Sequence, residues 1–567
     1  MFIKLTRRGP NRYVQLVEAY RDAATGKPKQ RTVASLGRLD QLNTELNSVI
    51  AGLQRVTGQT PATVAPLVAP TVSFDSARDF GDVWTLTELW NALRFDGLRT
   101  IFRPTRHSID VEALIRVMVF NRLCDPNSKL GVLRWLETVA LPGTSLKSIE
   151  HQHLLRAMDA LVEHKTEVDS VMANLLRPLV DQDLAMVFYD MTTIRAAGLS
   201  EQEGDLRHYG KAKEGVIARQ VMLGVVQTSE GLPLYHEVFD GNTAEVATIK
   251  GVIEKIVARF PIKRVIAVAD RGLLSTENLT DLQAIVLPGG NKLEFILAVP
   301  GRRYRDFVEL LEPFHTEQCL PAKEEILGEV AWNELRLIIA HDPQVSLDAG
   351  TKRGKRIDEL KVQADQWVGK LNDQDEGKKK PGRKLSDGGA RAKFYREVCE
   401  SHLSRIVKVD LKSDLFTYAI DERALKHAKM MDGKLLMVTN AQDFTPDEVI
   451  KRYKSLADIE RGFRVLKSEI EIGPMYHRLP DRIHAHASIC FMALILYRVM
   501  HTRLKDSNTK ISPERALDKL RRIQHQVVKV NDLEPIAGLS SINQEHASIL
   551  QALTIKKPTL PTQLTLL

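Results

Sequence analysis

The chain has 567 residues, 43% hydrophobic and 27% charged, with a formal net charge of +8; this is ordinary globular composition, enough for three or four domains with large buried cores. The basic excess permits a nucleic-acid partner without requiring one. Cys124, Cys319, Cys399 and Cys490 lie far apart with no CxxC pair, which excludes a disulfide scaffold or zinc ribbon and fits reduced thiols in a cytoplasm.

No apolar leader is read at the start, MFIKLTRRGPNRY, so no signal peptide is expected. Residues 1–56 read as a small basic β unit: YVQLVEAY (13–20) and QRTVASL (30–36) are strand candidates around a turn with Gly26 and Pro28. Lys4, Arg7, Arg8, Arg12, Lys27, Lys29, Arg31 and Arg38 make it cationic, as either a solvated hairpin or a phosphate-contacting module. A linker spans 57–80, with TGQTPATVAPLVAPTV uncharged and carrying Pro61, Pro66 and Pro70. Residues 81–182 show apolar residues at three- and four-residue spacing, as in VEALIRVMVFNRL and LGVLRWLETVAL, so a helical, DNA-docking segment is expected there.

From 183 the texture changes. LAMVFYDMTTI is a near-continuous apolar run, as for a strand buried on both faces. RQVMLGVVQT, LPLYHEVFDG, a helix over Ala244–Arg259, the strand RVIAVADRG, helix-like TENLTDLQAI and strand-like EFILAVP follow. This β-β-β-α-β-α order over 183–300 is the layout of a ribonuclease H-like α/β fold. Residues 301–433 interrupt it as an insertion expected to be mostly β, with ELRLIIA and LFTYAID as strands. Its stretch 351–394, with thirteen Lys/Arg against seven Asp/Glu and including KKKPGRK, reads as solvated or as a DNA-contacting arm. The core resumes over 434–505 with the strand KLLMVTN, one long helix from Pro446 to Ile472, and a core helix, Ile483–Met500, whose apolar part is too short to span a bilayer. The tail, 506–567, is weakly patterned.

Three carboxylates stand out. Asp190 ends the run VFY on the first buried strand, and Asp270 ends VIAVA on the fourth; a carboxylate on a buried strand is costly unless something engages it. Glu460 sits on the long helix beside the apolar stripe Leu456, Ile459, Phe463, Leu466 and Ile470. Tyr453, Glu460 and Lys467 are spaced by seven and line up on that helix, with Arg464 one turn after Glu460. Carboxylate oxygens suit Mg²⁺, and two such ions can stabilise the attacking and leaving oxygens of an in-line displacement at phosphorus. Tyr453, Arg464 and Lys467 are then candidates for phosphate contacts.

These residues carry a resemblance. The chain resembles the DDE transposases of bacterial insertion sequences, in the group whose third acid lies in the motif Y-x2-R-x3-E-x6-K. Tyr453, Glu460 and Lys467 match at the right spacing; Leu456 stands at the arginine position, leaving Arg452, Lys454 or Arg464 to supply that cation. Asp190 and Asp270 match the first two acids, 80 residues apart, and Glu460 follows after 190 more, as in members with a mostly β insertion before the last acid. The resemblance covers roughly 180–500 and implies Mg-dependent cleavage and strand transfer at the ends of an insertion sequence. It implies two Mg²⁺ ions with Mn²⁺ as a substitute, terminal inverted repeats and target DNA as partners, a homodimer on paired ends, and a bacterial cytoplasm. A structure-specific nuclease on the same fold, or a non-enzymatic DNA-binding derivative, are the alternatives.

Other constellations are weaker. His477, His484 and His486 do not share a helix face for a metal. Pro288-Gly289-Gly290-Asn291 reads as a turn, and no phosphate-binding GxxxxGK[ST] loop occurs.

Overall fold

The computed structural model describes residues 1–42, 50, 54–57, 72–102, 110–143, 149–180, 185–211, 217–244, 247–260, 264–269, 276–287, 290–320, 322–377, 385–455, 457–531 and 534–560. Asp270, Leu456, most of the 57–72 linker, Pro288-Gly289 and the KKKPGRK run lie outside the described residues, as do the side chains of 457–460. The chain divides into two units, Met1–Ser73 with Lys529–Glu534, and Phe74–Val528 with Pro535–Leu567.

In the first unit β1 (Phe2–Arg8), β2 (Asn11–Arg21) and β3 (Pro28–Arg38) form an antiparallel sheet, followed by one turn of helix, α1 (Leu39–Leu42). Strand β1 is one more strand than the sequence reading gave. Val14 and Val17 are buried, whereas Arg7, Arg8, Arg12 and Lys27 are exposed and make no ion pair among the described residues.

In the second unit β4 (Val72–Asp79) occupies what read as the end of the linker. The helices α2 (Gly81–Ala92), α3 (Leu98–Phe102), α4 (Val111–Cys124), α5 (Lys129–Thr138), α6 (His151–Glu163) and α7 (Lys165–Leu176) follow, as the helical periodicity implies. Side-chain oxygens start two of them: Asp110 accepts from the Ala113 amide and Ser128 from the Gly131 amide. Helix α4 is buried almost all round, which fits its near-continuous apolar sequence.

The central sheet then forms from β5 (Ala185–Arg195), β6 (His208–Lys211), β7 (Ile217–Thr228), β8 (Pro233–Phe239), β9 (Val265–Ala269) and β10 (Glu294–Ala298), with α8 (Ile249–Arg259) and α9 (Thr276–Ala284) as crossovers. Its five principal strands run β8-β7-β5-β9-β10. The first three pair antiparallel, while β9 lies parallel to β5 and β10 parallel to β9. A three-strand meander whose first strand is then flanked by two parallel strands is the ribonuclease H-like topology.

The insertion differs from the expectation of mostly β structure. Two of its strands, β11 (Ile326–Trp332) and β12 (Leu335–His341), do extend the sheet, joined to β10 through β15 (Lys434–Thr439). Apart from the short pair β13 (Val407–Val409) and β14 (Tyr418–Ile420), the rest is mainly helical: α10 (Val308–Phe314), the 33-residue α11 (Pro343–Asp375), α12 (Asp387–Glu400) and α13 (Glu422–Met431). The described part of the charged 351–394 stretch is therefore folded. Ile357, Leu360, Ala364 and Leu371 of α11 pack with Ala390, Phe394 and Val398 of α12 in a hydrophobic core separate from the main one.

The expected long helix also differs. It is two helices, α14 (Pro446–Lys454) and α15 (Ala457–Ser468), with Ser455 capping the first. Helix α14 packs against β9–β12, whereas α15 packs against β5 and the next helix, α16 (Pro480–Asp506). The two lie on different parts of the sheet, so the chain must break between them. Helix α16 is apolar and long enough to cross a membrane, but 83% of its apolar window is buried inside the protein, as for a core helix. The tail is folded too, as α17 (Pro513–Leu520), β16 (Gln524–Val530), β17 (Ile536–Leu539) and α18 (Gln544–Ala552).

Candidate active site

Asp190 lies in the middle of β5, in the centre of the sheet, and is 7% exposed. Its Oδ1 accepts from the Met191 amide at 2.7 Å. Side chains alternate along a strand, so Phe188, Asp190, Thr192 and Ile194 share one face and Tyr189 and Met191 the other. The contacts bear this out. The Tyr189 hydroxyl meets Thr248, the residue before α8, at 2.5 Å, and the Thr248 hydroxyl donates to Met191 Sδ at 3.2 Å. Helix α8 therefore covers the face opposite Asp190.

The face of Asp190 is covered by α15 and α16. Phe188 pairs with Gln227 and Asp190 with Val225 of β7, which puts all four on one face. A Cβ placed on Gly462 of α15 would lie 2.9 and 3.0 Å from the amide atoms of Gln227 and 3.0 Å from a guanidinium nitrogen of Arg498 on α16. Only a glycine lets the helix backbone come this close. Helix α15, which carries Glu460, is thus held against the sheet on the side Asp190 faces. The packing face of α15 includes Phe463 and Leu466, as the stripe implied, and also Gly462 and Val465; Ile470 is buried just beyond the helix end.

Strand β9 reaches the same place. Its last residue, Ala269, pairs with Tyr189, and the residue bonded to Ala269 is Asp270. The structure thus brings the strand that leads into Asp270 and the helix that bears Glu460 to Asp190. Among the described residues no cluster of three or more His, Cys, Asp or Glu is gathered elsewhere to hold a metal.

The other candidates separate. Lys467 is half-buried, two turns after Glu460 on α15. Arg464 is exposed and lines, with Arg461, Arg498 and Arg515, a cleft of about 640 Å³. Tyr453 is half-buried against the main core on α14, so it does not share a helix with Glu460 and Lys467. Of the cations considered for the Leu456 position, Arg452 stacks on the Phe444 ring at 3.9 Å and Lys454 pairs with Glu325 at 3.0 Å. Arg464 makes no such contact among the described residues. Gly462, Gln227 and Arg498 were not read from the sequence; the one available signal was a glycine inside a helical pattern, which costs about 1 kcal/mol without a packing reason.

Two family models match. The IS1634 family transposase N-terminal domain matches residues 3–65, and the transposase DDE domain matches residues 327–496, a stretch that holds Glu460 and most of α16. Among solved structures, the piggyBac transposase synaptic complex with hairpin DNA is similar at 10% identity, over 77% of this chain and 75% of that one, with a TM-score of 0.38. The Drosophila P element transposase strand transfer complex is similar at 11% identity, over 73% and 98%, with a TM-score of 0.22. Both scores are below those of a shared fold, and the fold rests on the strand order. No curated protein matches the chain.

Proposed function

We propose that the chain is a DDE transposase of an insertion sequence, and that Asp190, Asp270 and Glu460 are the acids with which it cuts and joins DNA. Members of this family work with divalent metal ions; here the donors would be carboxylate oxygens alone, the set that suits Mg²⁺, with Mn²⁺ as a substitute. Two such ions, when bound, would stabilise the attacking and leaving oxygens at phosphorus. The observation that carries the assignment is the seating of Gly462 on Gln227, which holds the helix of Glu460 on the sheet face of Asp190. Asp270 is proposed because it is bonded to Ala269, which pairs with Tyr189 beside Asp190.

The protein's own residues do the positioning. Asp190 is fixed by a strand hydrogen-bonded on both sides, so its carboxylate needs little reorganisation when substrate arrives. Lys467 and Arg464, on the helix of Glu460, would contact phosphates, and Tyr453 would do so from the neighbouring helix. The unpaired Arg7, Arg8, Arg12 and Lys27 of the N-terminal sheet suit the backbone of the terminal repeats. Paired ends would be held by a homodimer, acting on DNA in a bacterial cytoplasm.

The test is cleavage and strand transfer by Asp190→Ala, Asp270→Ala and Glu460→Ala. Each should abolish cleavage in Mg²⁺ while end binding and the melting temperature stay near those of the unaltered chain. Because the acids act as a unit, double variants should be no worse than single ones. Substantial cleavage by one of them removes that residue. Joining of a 3′-hydroxyl end to target DNA separates a transposase from a nuclease of the same fold.

A further inference from the structure

A second feature lies on the same sheet face. The loop after α15 is tied to the end of β5: the Met475 amide donates to the Arg195 carbonyl at 2.7 Å, and a Cβ on Gly473 would lie 3.1 Å from Ile194. Ile194 follows Asp190 by four residues, about 13 Å along the strand. Behind this loop is a cavity of about 520 Å³ whose walls include Arg122, Ser128, Lys129, His151, His477 and His486.

Its electrostatics are one-sided. Arg122, Lys129 and His486 are 5, 6 and 7% exposed. Lys129 has no ion pair or hydrogen bond among the described residues and is the first residue of α5, where the helix dipole opposes a cation. Arg122 donates to the carbonyls of Glu471 at 3.2 Å, Ile470 at 3.4 Å and Asn127; among the described residues its Nε has no partner and no carboxylate pairs with it. His486 Nε2 contacts the Ile472 carbonyl at 3.1 Å while Nδ1 is unpartnered, and His477 lies 5.5 Å away, ring to ring. Glu471 also lines the cavity, but it is exposed and forms no ion pair with Arg122 or Lys129 among the described residues; Asp125 is exposed and holds the Asn127 amide at 3.1 Å. Burial, then Arg122, pushes the Lys129 ammonium down to about 7, the sign of a cation that lacks a counter-charge. A buried cation without an anion is costly, and the cost is removed when an anion enters.

We propose that this cavity binds a phosphate group, and that the phosphate belongs to the DNA strand engaged at Asp190. The assignment of DNA rests on the transposase reading above; the cavity's need for an anion does not. Its position supports DNA over a free ion: Gly473 and Pro474, in the loop tied to the end of β5, line the cavity, and Ile194 at that strand end lies four residues from Asp190. Lys129 and the unpartnered Arg122 Nε would donate to phosphate oxygens, and the first-turn amides of α5 add to the attraction. His477 and His486 would become better proton acceptors beside the anion.

The test uses the full chain, duplex DNA carrying the element's end, and anisotropy titrations over a range of salt. Lys129→Met should weaken end binding about tenfold and lower the salt slope by about 0.9, the share of one phosphate, while Lys129→Arg keeps both. Without DNA, Lys129→Met should melt no lower than the unaltered chain, since it loses an unpaired buried charge; His477→Gln serves as a second variant should it fail to fold. A single methylphosphonate moved along the end should cost the unaltered chain as much as Lys129→Met at one position, and add nothing to Lys129→Met there. Inorganic phosphate in a calorimeter is the other arm. Binding lost in Lys129→Met, with DNA affinity and slope unchanged, overturns the DNA assignment and leaves a free-phosphate site. Unchanged binding of both overturns the pocket. Failure of the unaltered chain to bind any DNA overturns the transposase reading instead.

Discussion

Gly462→Ala tests how the candidate site is assembled. The added methyl would sit 2.9 Å from Gln227 Nε2, and ordinary contact begins at 3.4 Å, so at least 0.5 Å of separation must be found. Gln227 is fully buried on β7 and cannot simply swing into solvent, so α15 should lift by a comparable amount. Two terms nearly cancel in stability: alanine in place of glycine gains about 1 kcal/mol of helix propensity, and overpacking costs about 1–3 kcal/mol. The melting temperature should therefore fall by only a few degrees. Activity should be less forgiving, because catalytic groups tolerate about 0.5 Å and a 1 Å misplacement can cost about a hundredfold. About a tenfold loss of cleavage rate is expected, with end binding almost unchanged. Adding Gln227→Ala should recover much of the rate, since the amide of Gln227 has no hydrogen-bond partner to lose. Single-turnover cleavage and thermal melts on the two variants are the assays. A Gly462→Ala protein that cleaves at the unaltered rate would refute the idea that this contact sets the height of Glu460 over Asp190.

The protein should lose stability as the pH falls from about 6.5 towards 4. Burial pushes the imidazole of His236 down to about 3 and those of His477 and His341 to about 4. Each folded value is below the unfolded value of about 6.5, so below that pH the unfolded chain binds protons that the folded chain does not, at a cost of up to about 1.4 kcal/mol per pH unit per histidine. His236 stacks on Phe491 at 4.4 Å, and His236→Phe should flatten the pH dependence of the melting temperature in this window; an unchanged slope would remove His236 from the account. In the insertion, Phe394 is fully buried in the core separate from the main one. Phe394→Ala should cost about 3–5 kcal/mol, and hydrogen exchange should show α11 and α12 losing protection while β5, β7 and β9 keep theirs.

The ribonuclease H-like core was legible because its strands are covered on both faces. VFYDMTTI is a near-continuous and VIAVA a continuous apolar run, as a central strand needs, and β5 and β9 are central. The helical part of the insertion was hidden by its charges. Ile357, Leu360, Ala364, Trp367 and Leu371 keep a 3-4-3-4 spacing through α11, but the stripe is one residue wide, and lysines and arginines outnumber it. A narrow stripe suffices for α11 because its partner surface is small, chiefly Phe394, Phe416 and their neighbours. Counting charge finds solvent-facing residues and says little about what lies beneath them; period is the better signal.

The break between α14 and α15 had no local signal. No proline or glycine falls between Asp447 and Arg461, and the periodicity runs through. What breaks the helix is distant: α14 is needed on β9–β12 and α15 on β5, and the sheet that separates those positions is built largely from residues far away in sequence. Motif spacing survives such a break better than helical geometry does. Glu460 and Lys467 stay on one helix, so their alignment follows from 3.6 residues per turn. Tyr453 keeps its place in the motif while its side chain starts from another helix. A spacing of seven across a break therefore states a functional relation between three residues and leaves their common face unproved. The same reasoning explains why the cationic cavity escaped notice: Arg122, Lys129, His477 and His486 come from segments some 350 residues apart, and only the folded chain shows that they meet without an ion pair to a carboxylate among the described residues.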